Sequence, residues 1–404
     1  MQEASPVPPF TATCVADWRL RLGAAALVGA LLFAGCASTP SAPPFVATGD
    51  PVVDGNARLL AAAPQDRPLW ECRIGLEALR RGDWTEARDK LDRAILAQGG
   101  ILGPRADAAQ ARSLFHREDR KLFVGEPYER ALVYFYRAIL YWMDGEPDNA
   151  RACYHTAQLL DASAEEAHRG DWVLPDFLAA LASAKLQLDW AESLLRAQQN
   201  YHGTLPPLDP AANVLVFVEF GRGPRKYAGG EYGEVLHFQP GTALARTAVL
   251  RIDDRVVRMG PIDDVSYQAT TRGGRVMDQI LDNKAEFKAT ADNVGDAALV
   301  GAAISAYQPR SHRSDGLTAG LAAVGVLSKL VAAATTPEAD TRCWDNLPNN
   351  LGFAALKLPP GEYAATVEFL AGDGRAGPVA LRSLRFVVPN APNGAVLLVS
   401  ELSP

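Results

Sequence analysis

The stretch from Ala131 to Met143 reads ALVYFYRAILYWM, thirteen residues in which Arg137 is the only charge. A helix so apolar around its whole circumference has no side to offer water, and it is too short to cross a bilayer, which takes about 20 residues. It is therefore expected to be a central helix, covered on every side by other parts of the chain. With 404 residues, 48% hydrophobic and 22% charged, the chain has material for that cover and length for two domains. A net charge of -7 supplies no broad positive field, which argues against nucleic acid as a partner.

Arg19 and Arg21 precede an apolar run, Leu22 to Phe33, that ends in Phe33-Ala34-Gly35-Cys36. A positive region, an apolar region and small residues before a cut follow the order of a secretory signal. A cysteine directly after Ala-Gly makes the segment resemble the bacterial lipobox, with Phe33 where that motif usually carries leucine. The resemblance implies that residues 1–35 are a signal peptide and that Cys36 is diacylated and becomes the first mature residue. Ala37, where an aspartate would retain the protein at the inner membrane, implies an outer-membrane lipoprotein facing the periplasm. Pro6, Pro8, Pro9 and Asp17 are foreign to the start of a signal, so translation is expected to begin further in, at Val15. Residues 36–66, rich in Pro, Ser and Ala, read as a lipidated flexible tether. Cys72, Cys153 and Cys343 then face an oxidising compartment. Cys72 and Cys153 read as buried free thiols, with a bridge between them as the alternative.

Residues 67–203 follow a helical period. Gly75, Gly82, Trp84, Ala87, Leu91 and Ala94 have the spacing of a tetratricopeptide unit, and Ala138, Tyr141, Gly145, Ala150, Tyr154 and Ala157 repeat it. Residues 98–126 read as an insertion with its own helix, and a third helical pair is expected at 173–188 and 189–200. Residues 204–404 are β-rich: Asn213 to Phe220, NVLVFVEF, is a buried strand, and further strands are expected at 245–252, 255–259, 352–358, 363–370, 383–388 and 395–402. Helices interrupt this part around 275–335, including one at 316–334 that reads as buried or groove-lying, with membrane contact or a flexible arm as the alternatives. The fold class expected is α+β and multidomain, a tetratricopeptide-like helical domain followed by a mostly β, sandwich-like domain.

In a tetratricopeptide unit the concave face belongs to the first helix of each pair, which here presents Leu132, Phe135, Ile139, Trp142 and Met143. That face is apolar and needs a cover. Either the chain supplies it, or a partner protein does, with Phe135 and Trp142 as its anchors.

Reaction chemistry is not spelled out. The six histidines never form an HxxxH pair or a Cys-His cluster, so no metal ligand set is expected, and no cofactor motif is present. Gly221 to Lys226, GRGPRK, lacks phosphate-loop spacing, and Pro224 removes an amide donor, so it reads as a solvated basic turn. Asp253-Asp254 and Asp263-Asp264 read as solvated acids at turns.

Two motifs carry a family resemblance: Gly125-Glu126-Pro127-Tyr128-Glu129-Arg130, and Ala339 to Pro348, ADTRCWDNLP. With the central helix they make the chain, from Trp70 to Leu402, resemble a family of uncharacterised bacterial tetratricopeptide-containing lipoproteins, with Cys343 where serine is usual. The resemblance implies a helical repeat half, a β half and an outer-membrane address, and no chemistry. Asp340, Arg342 and Trp344 read as a structural corner, Arg342 forking onto a carboxylate or helix-end carbonyls and Trp344 plugging an apolar gap, with a ligand contact as the alternative. The function expected is non-enzymatic: a lipid-anchored periplasmic scaffold or regulator that binds another envelope protein, in cell-wall or surface-structure assembly. An envelope-polymer hydrolase and a carbohydrate-binding module in the β part are the alternatives.

Overall fold

The computed structural model describes residues 45–99, 122–161, 170–230, 233, 235–271, 339–372, 377–390 and 394–403. The signal segment with Cys36, most of the 98–126 insertion and the helices expected around 275–335 lie outside these residues. Gly49–Pro404 forms one compact unit, and Met1–Thr48 is a second, of which residues 45–48 are described, without regular structure.

The fold is mixed α and β. Its helices are α1 (Pro51–Ala61), α2 (Arg67–Arg81), α3 (Trp84–Ala97), α4 (Pro127–Asp144), α5 (Pro147–Asp161), α6 (Val173–Lys185), α7 (Ala191–Asn200) and the short α8 (Val265–Thr270). Residues 51–66, expected to be tether, are instead ordered. The Asp50 carboxylate accepts the N–H groups of Val52 at 2.9 Å and Val53 at 3.1 Å, Pro51 fits the first helical position, and α1 packs on α2 with Gly55 against Ile74. A start signal was present there, hidden by the Pro- and Ala-rich composition around it.

From α2 to α7 each helix packs on the next one described. The turns between α2 and α3 and between α4 and α5 are set by Gly82 and Gly145, both left-handed at φ 82° and 76°, a conformation open to glycine at little cost. The turn after α6 uses a left-handed Gln187 instead.

The strands are β1 (Val214–Phe220), β2 (Arg225–Gly229), β3 (Val235–Gln239), β4 (Ala245–Ile252), β5 (Arg255–Met259), β6 (Asp263–Asp264), β7 (Asn350–Leu356), β8 (Gly361–Ala371), β9 (Ala380–Val388) and β10 (Ala395–Ser400). They form two four-stranded sheets, ordered β10-β1-β7-β6 and β5-β4-β8-β9, and a β2-β3 hairpin. β1 is parallel to β10 and antiparallel to β7, with Phe217 opposite Leu398 and Phe353.

β1 is buried along its whole length because both its faces are covered. Val214, Val216, Val218 and Phe220 point into a core shared with β4 and β8, while Leu215 and Phe217 point into the core of the helices. There Phe217 meets Phe135 of α4 edge-on, ring centres 6.0 Å apart. Helix α4 is thus the central helix its sequence demands. All three described cysteines are free and buried, so Cys72 and Cys153 form no bridge. Among the described residues, no helix is long and apolar enough to cross a membrane.

Candidate functional site

The two motifs, more than 200 residues apart in sequence, meet at one carboxylate. Glu129, in the first turn of α4, is 1% exposed. Its Oε1 accepts the backbone N–H of Trp344 at 2.8 Å, and its Oε2 accepts the N–H of Glu126 at 2.7 Å and the ammonium of Lys226 at 2.5 Å. The Lys226 ammonium also donates to the carbonyl of Arg342 at 3.0 Å. Burial alone would lower the pKa of Lys226, but the Glu129 carboxylate, with the charge of Glu126 behind it, offsets this and holds the amine above its ordinary value. The basic turn is therefore solvated only in part: Arg222 and Arg225 are exposed, whereas the Lys226 side chain is buried.

Around this buried pair a cleft of about 420 Å³ opens, lined among others by Trp70, Arg73, Arg225, Lys226, Arg342 and Asp345. Arg342 forks onto Asp340, from Nε at 2.9 Å and from Nη2 at 2.7 Å, and reaches Asp66 through Nη1 at 2.8 Å. Burial opposes its charge, and the Asp340 and Asp66 carboxylates hold it above the ordinary arginine value. Arg73 donates from Nη2 to the carbonyl of Cys343 at 2.9 Å, and its guanidinium lies 4.7 Å from the Trp70 ring centre. Asp345 is shared by Arg73 and Arg225, at 2.7 and 3.0 Å. Burial pushes the Cys343 thiol up to about 11, which leaves it un-ionised at neutral pH and a poor nucleophile.

Asp340, Arg342 and Trp344 are thus brought together. Trp344 is 1% exposed and packs edge-on against Tyr136 of α4, ring centres 6.0 Å apart. The expected interface residues lie elsewhere. Leu132, Phe135, Ile139 and Trp142 are buried and Met143 is half-buried, packed in the core that α4 shares with the strands. The chain covers this face itself, the first of the two covers considered for it. Trp142 Nε1 donates to the Tyr154 hydroxyl at 3.0 Å inside that core. Cys36 lies outside the described residues.

Sequence reasoning missed Asp66, Arg73, Lys226 and Asp345 as members of the cleft. No local signal marks these four, but a buried polar group outside the cleft was readable in the single acid of NVLVFVEF, Glu219. Its parity with Leu215 and Phe217 aims it at the helices, where a carboxylate requires a partner. It has two, Arg80 Nε and the Tyr136 hydroxyl, both at 2.6 Å. Asp263, expected to be solvated, is buried and accepts the N–H groups of Val173 at 2.9 Å and Leu174 at 2.7 Å, capping α6.

Among the described residues, no group of three or more His, Cys, Asp or Glu side chains is placed to hold a metal ion. Comparison with family models, with curated proteins and with solved structures returns no match for this chain.

Proposed function

We propose that the chain is a non-enzymatic interaction protein of the bacterial envelope, lipid-anchored at Cys36 to the outer membrane and facing the periplasm, where it recruits or regulates another envelope protein. In this reading the consecutive helix pairs are tetratricopeptide-like units, the two four-stranded sheets are a sandwich, and the lipobox-like Phe33-Ala34-Gly35-Cys36 supplies the address. The observation that carries it is the composition of the cleft. The Trp70 ring carries the Arg73 guanidinium at 4.7 Å, beside the exposed Arg225 and the Asp345 that the two arginines share. Tryptophan and arginine are among the residues that most often dominate protein interfaces, and here the two arginines are held in place by Asp345.

Two measurements test it. Palmitate labelling should mark the wild type and be lost in Cys36→Ala, because the thiol alone accepts the diacylglyceryl group. In a periplasmic crosslinking pull-down, Arg225→Glu, a change at an exposed position, should lose the partner while the melting temperature stays within a few degrees of wild type. Unlabelled wild type, or a full set of partners retained by Arg225→Glu, counts against the proposal.

One observation favours the carbohydrate-binding alternative. Tyr363 of β8 and Phe386 of β9 stack with ring centres 5.7 Å apart, beside a hollow of about 390 Å³ flanked by Glu362 and Arg385. Retention on envelope glycans that Tyr363→Ala abolishes would select this reading over the protein partner.

A further inference from the structure

A second hollow, of about 610 Å³, opens where the α4–α5 turn, the end of α6, the chain leading into β1 and the first residues of β10 meet. Trp142, Pro147, Leu186, Pro210, Leu215 and Val396 give it apolar walls. Its volume falls in the range of small-molecule sites, roughly 300–1,000 Å³, which typically combine an apolar lining with a few placed polar groups.

Two opposite charges stand on that lining, Lys185 at the end of α6 and Asp148 in the first turn of α5. They form no ion pair with each other. The Lys185 ammonium donates to the carbonyls of Pro210, at 3.0 Å, and Ala212. An ammonium has three donors, so one N–H remains uncommitted. Burial lowers the pKa of Lys185, against the charge of Asp209, so an arriving carboxylate would restore what burial takes away. Asp148 is exposed at the rim and, among the described residues, spends its oxygens on no other side chain.

We propose that this hollow binds a zwitterion of the amino-acid or short-peptide class, its apolar side chain lodged beside Trp142, its carboxylate on Lys185 and its ammonium on Asp148. The lining itself selects this class. A simple anion would face Asp148, a simple cation would face Lys185, and a neutral apolar molecule would displace water from the remaining N–H of the half-buried Lys185 without replacing it, at a cost. A zwitterion answers both and still uses the apolar walls.

The test is calorimetry on the full-length chain with the dipeptide Leu-Leu and its two capped forms, N-acetyl-Leu-Leu and Leu-Leu amide. Wild type should bind Leu-Leu and lose about tenfold in affinity with either cap, the equivalent of about 1.4 kcal/mol. Lys185→Gln keeps a donor for the linker carbonyls. It should become indifferent to the amide cap and remain sensitive to acetylation. Asp148→Asn, a change at an exposed position, should show the reverse. No binding heat with millimolar Leu-Leu, capped forms that bind as tightly as the free dipeptide, or variants that fail to separate the two caps would each overturn the proposal.

Discussion

Arg80 of α2 donates from Nε to Oε2 of Glu219 on β1 at 2.6 Å, in a place where the Glu219 side chain is 0% exposed. The other carboxylate oxygen accepts the Tyr136 hydroxyl of α4 at 2.6 Å, so one acid on a strand ties down two helices. Burial raises the Tyr136 pKa and the Glu219 charge adds to it, which keeps the phenol protonated and donating. Arg80 also donates from Nη1 to Glu77 at 2.9 Å, so loss of Glu219 leaves the buried guanidinium with one of its two carboxylates and the Tyr136 hydroxyl with no acceptor; breaking a buried pair costs about 3–5 kcal/mol, and Glu77 puts the expected cost at the lower end. Glu219→Leu should therefore destabilise the protein by about that amount in urea unfolding. Glu219→Leu combined with Arg80→Met should recover most of the loss. A double variant no more stable than the single one would show that the pair is not the source of the cost.

Gly75 separates two effects that are usually confounded. On helix propensity alone, Gly75→Ala in α2 should stabilise by up to about 1 kcal/mol. A Cβ at that position would stand 3.0 Å from Cδ2 and Cγ of Leu91 and 3.3 Å from Cβ of Lys90, and Leu91 is fully buried in α3. Overpacking should win, giving a net loss of about 1 kcal/mol or more and a lower melting temperature. A higher melting temperature would mean that α2 and α3 can spread apart at no cost.

What could be read from the sequence was whatever local pattern decides. The apolar run of α4 and the β-branched run of β1 have no alternative use, and both stand where they were expected. Strand β2, with the sequence RKYAG, is mostly exposed and has no alternation to betray it, so the β2-β3 hairpin was missed. The arginine fork of Arg342 was foreseeable from its chemistry, and Asp340 lies two residues away. Its other partner, Asp66, is 276 residues distant, and Lys226 reaches Glu129 across 97. Such pairings are decided by how helices and strands come together, which no spacing rule within one element records.

Asp176 of α6 gives a pH signature. Its side chain is 1% exposed and accepts Nε of Arg196 at 3.0 Å and the Gln158 amide. Burial raises its pKa to about 6, with Arg196 only partly opposing it. A carboxyl whose folded pKa exceeds its unfolded value near 3.8 binds more protons in the folded state, so its contribution is complete below about pH 3.8 and is lost as pH rises through about 6. Each tenfold change in proton affinity is worth about 1.4 kcal/mol, so the contribution is on the order of 2–3 kcal/mol. Asp176→Asn should remove that decline, making the difference in stability from wild type vary between pH 4 and 7 in favour of the variant. A constant difference across this range would refute the assignment.

Glu129 and Lys226 make the most consequential prediction, because they join the two motifs. Lys226→Met keeps the length of the side chain and removes its charge, leaving a buried carboxylate with only the N–H groups of Glu126 and Trp344 to hold it. The expected loss is about 3–5 kcal/mol. Because the folded pKa of Lys226 lies above the ordinary lysine value, the contribution of its charge should be fully present at neutral pH and be lost only as pH rises above about 10.5. Hydrogen exchange tells a local effect from a global one. The amide of Trp344 and its neighbours in 339–347 should lose protection in Lys226→Met before the strands of the β4-β8 sheet do, since Glu129 is what holds that segment against α4. If 339–347 keeps wild-type protection while the whole protein loses stability evenly, Lys226 stabilises the fold without clasping the motifs together, and the cleft owes its shape to Arg342 and its two aspartates instead.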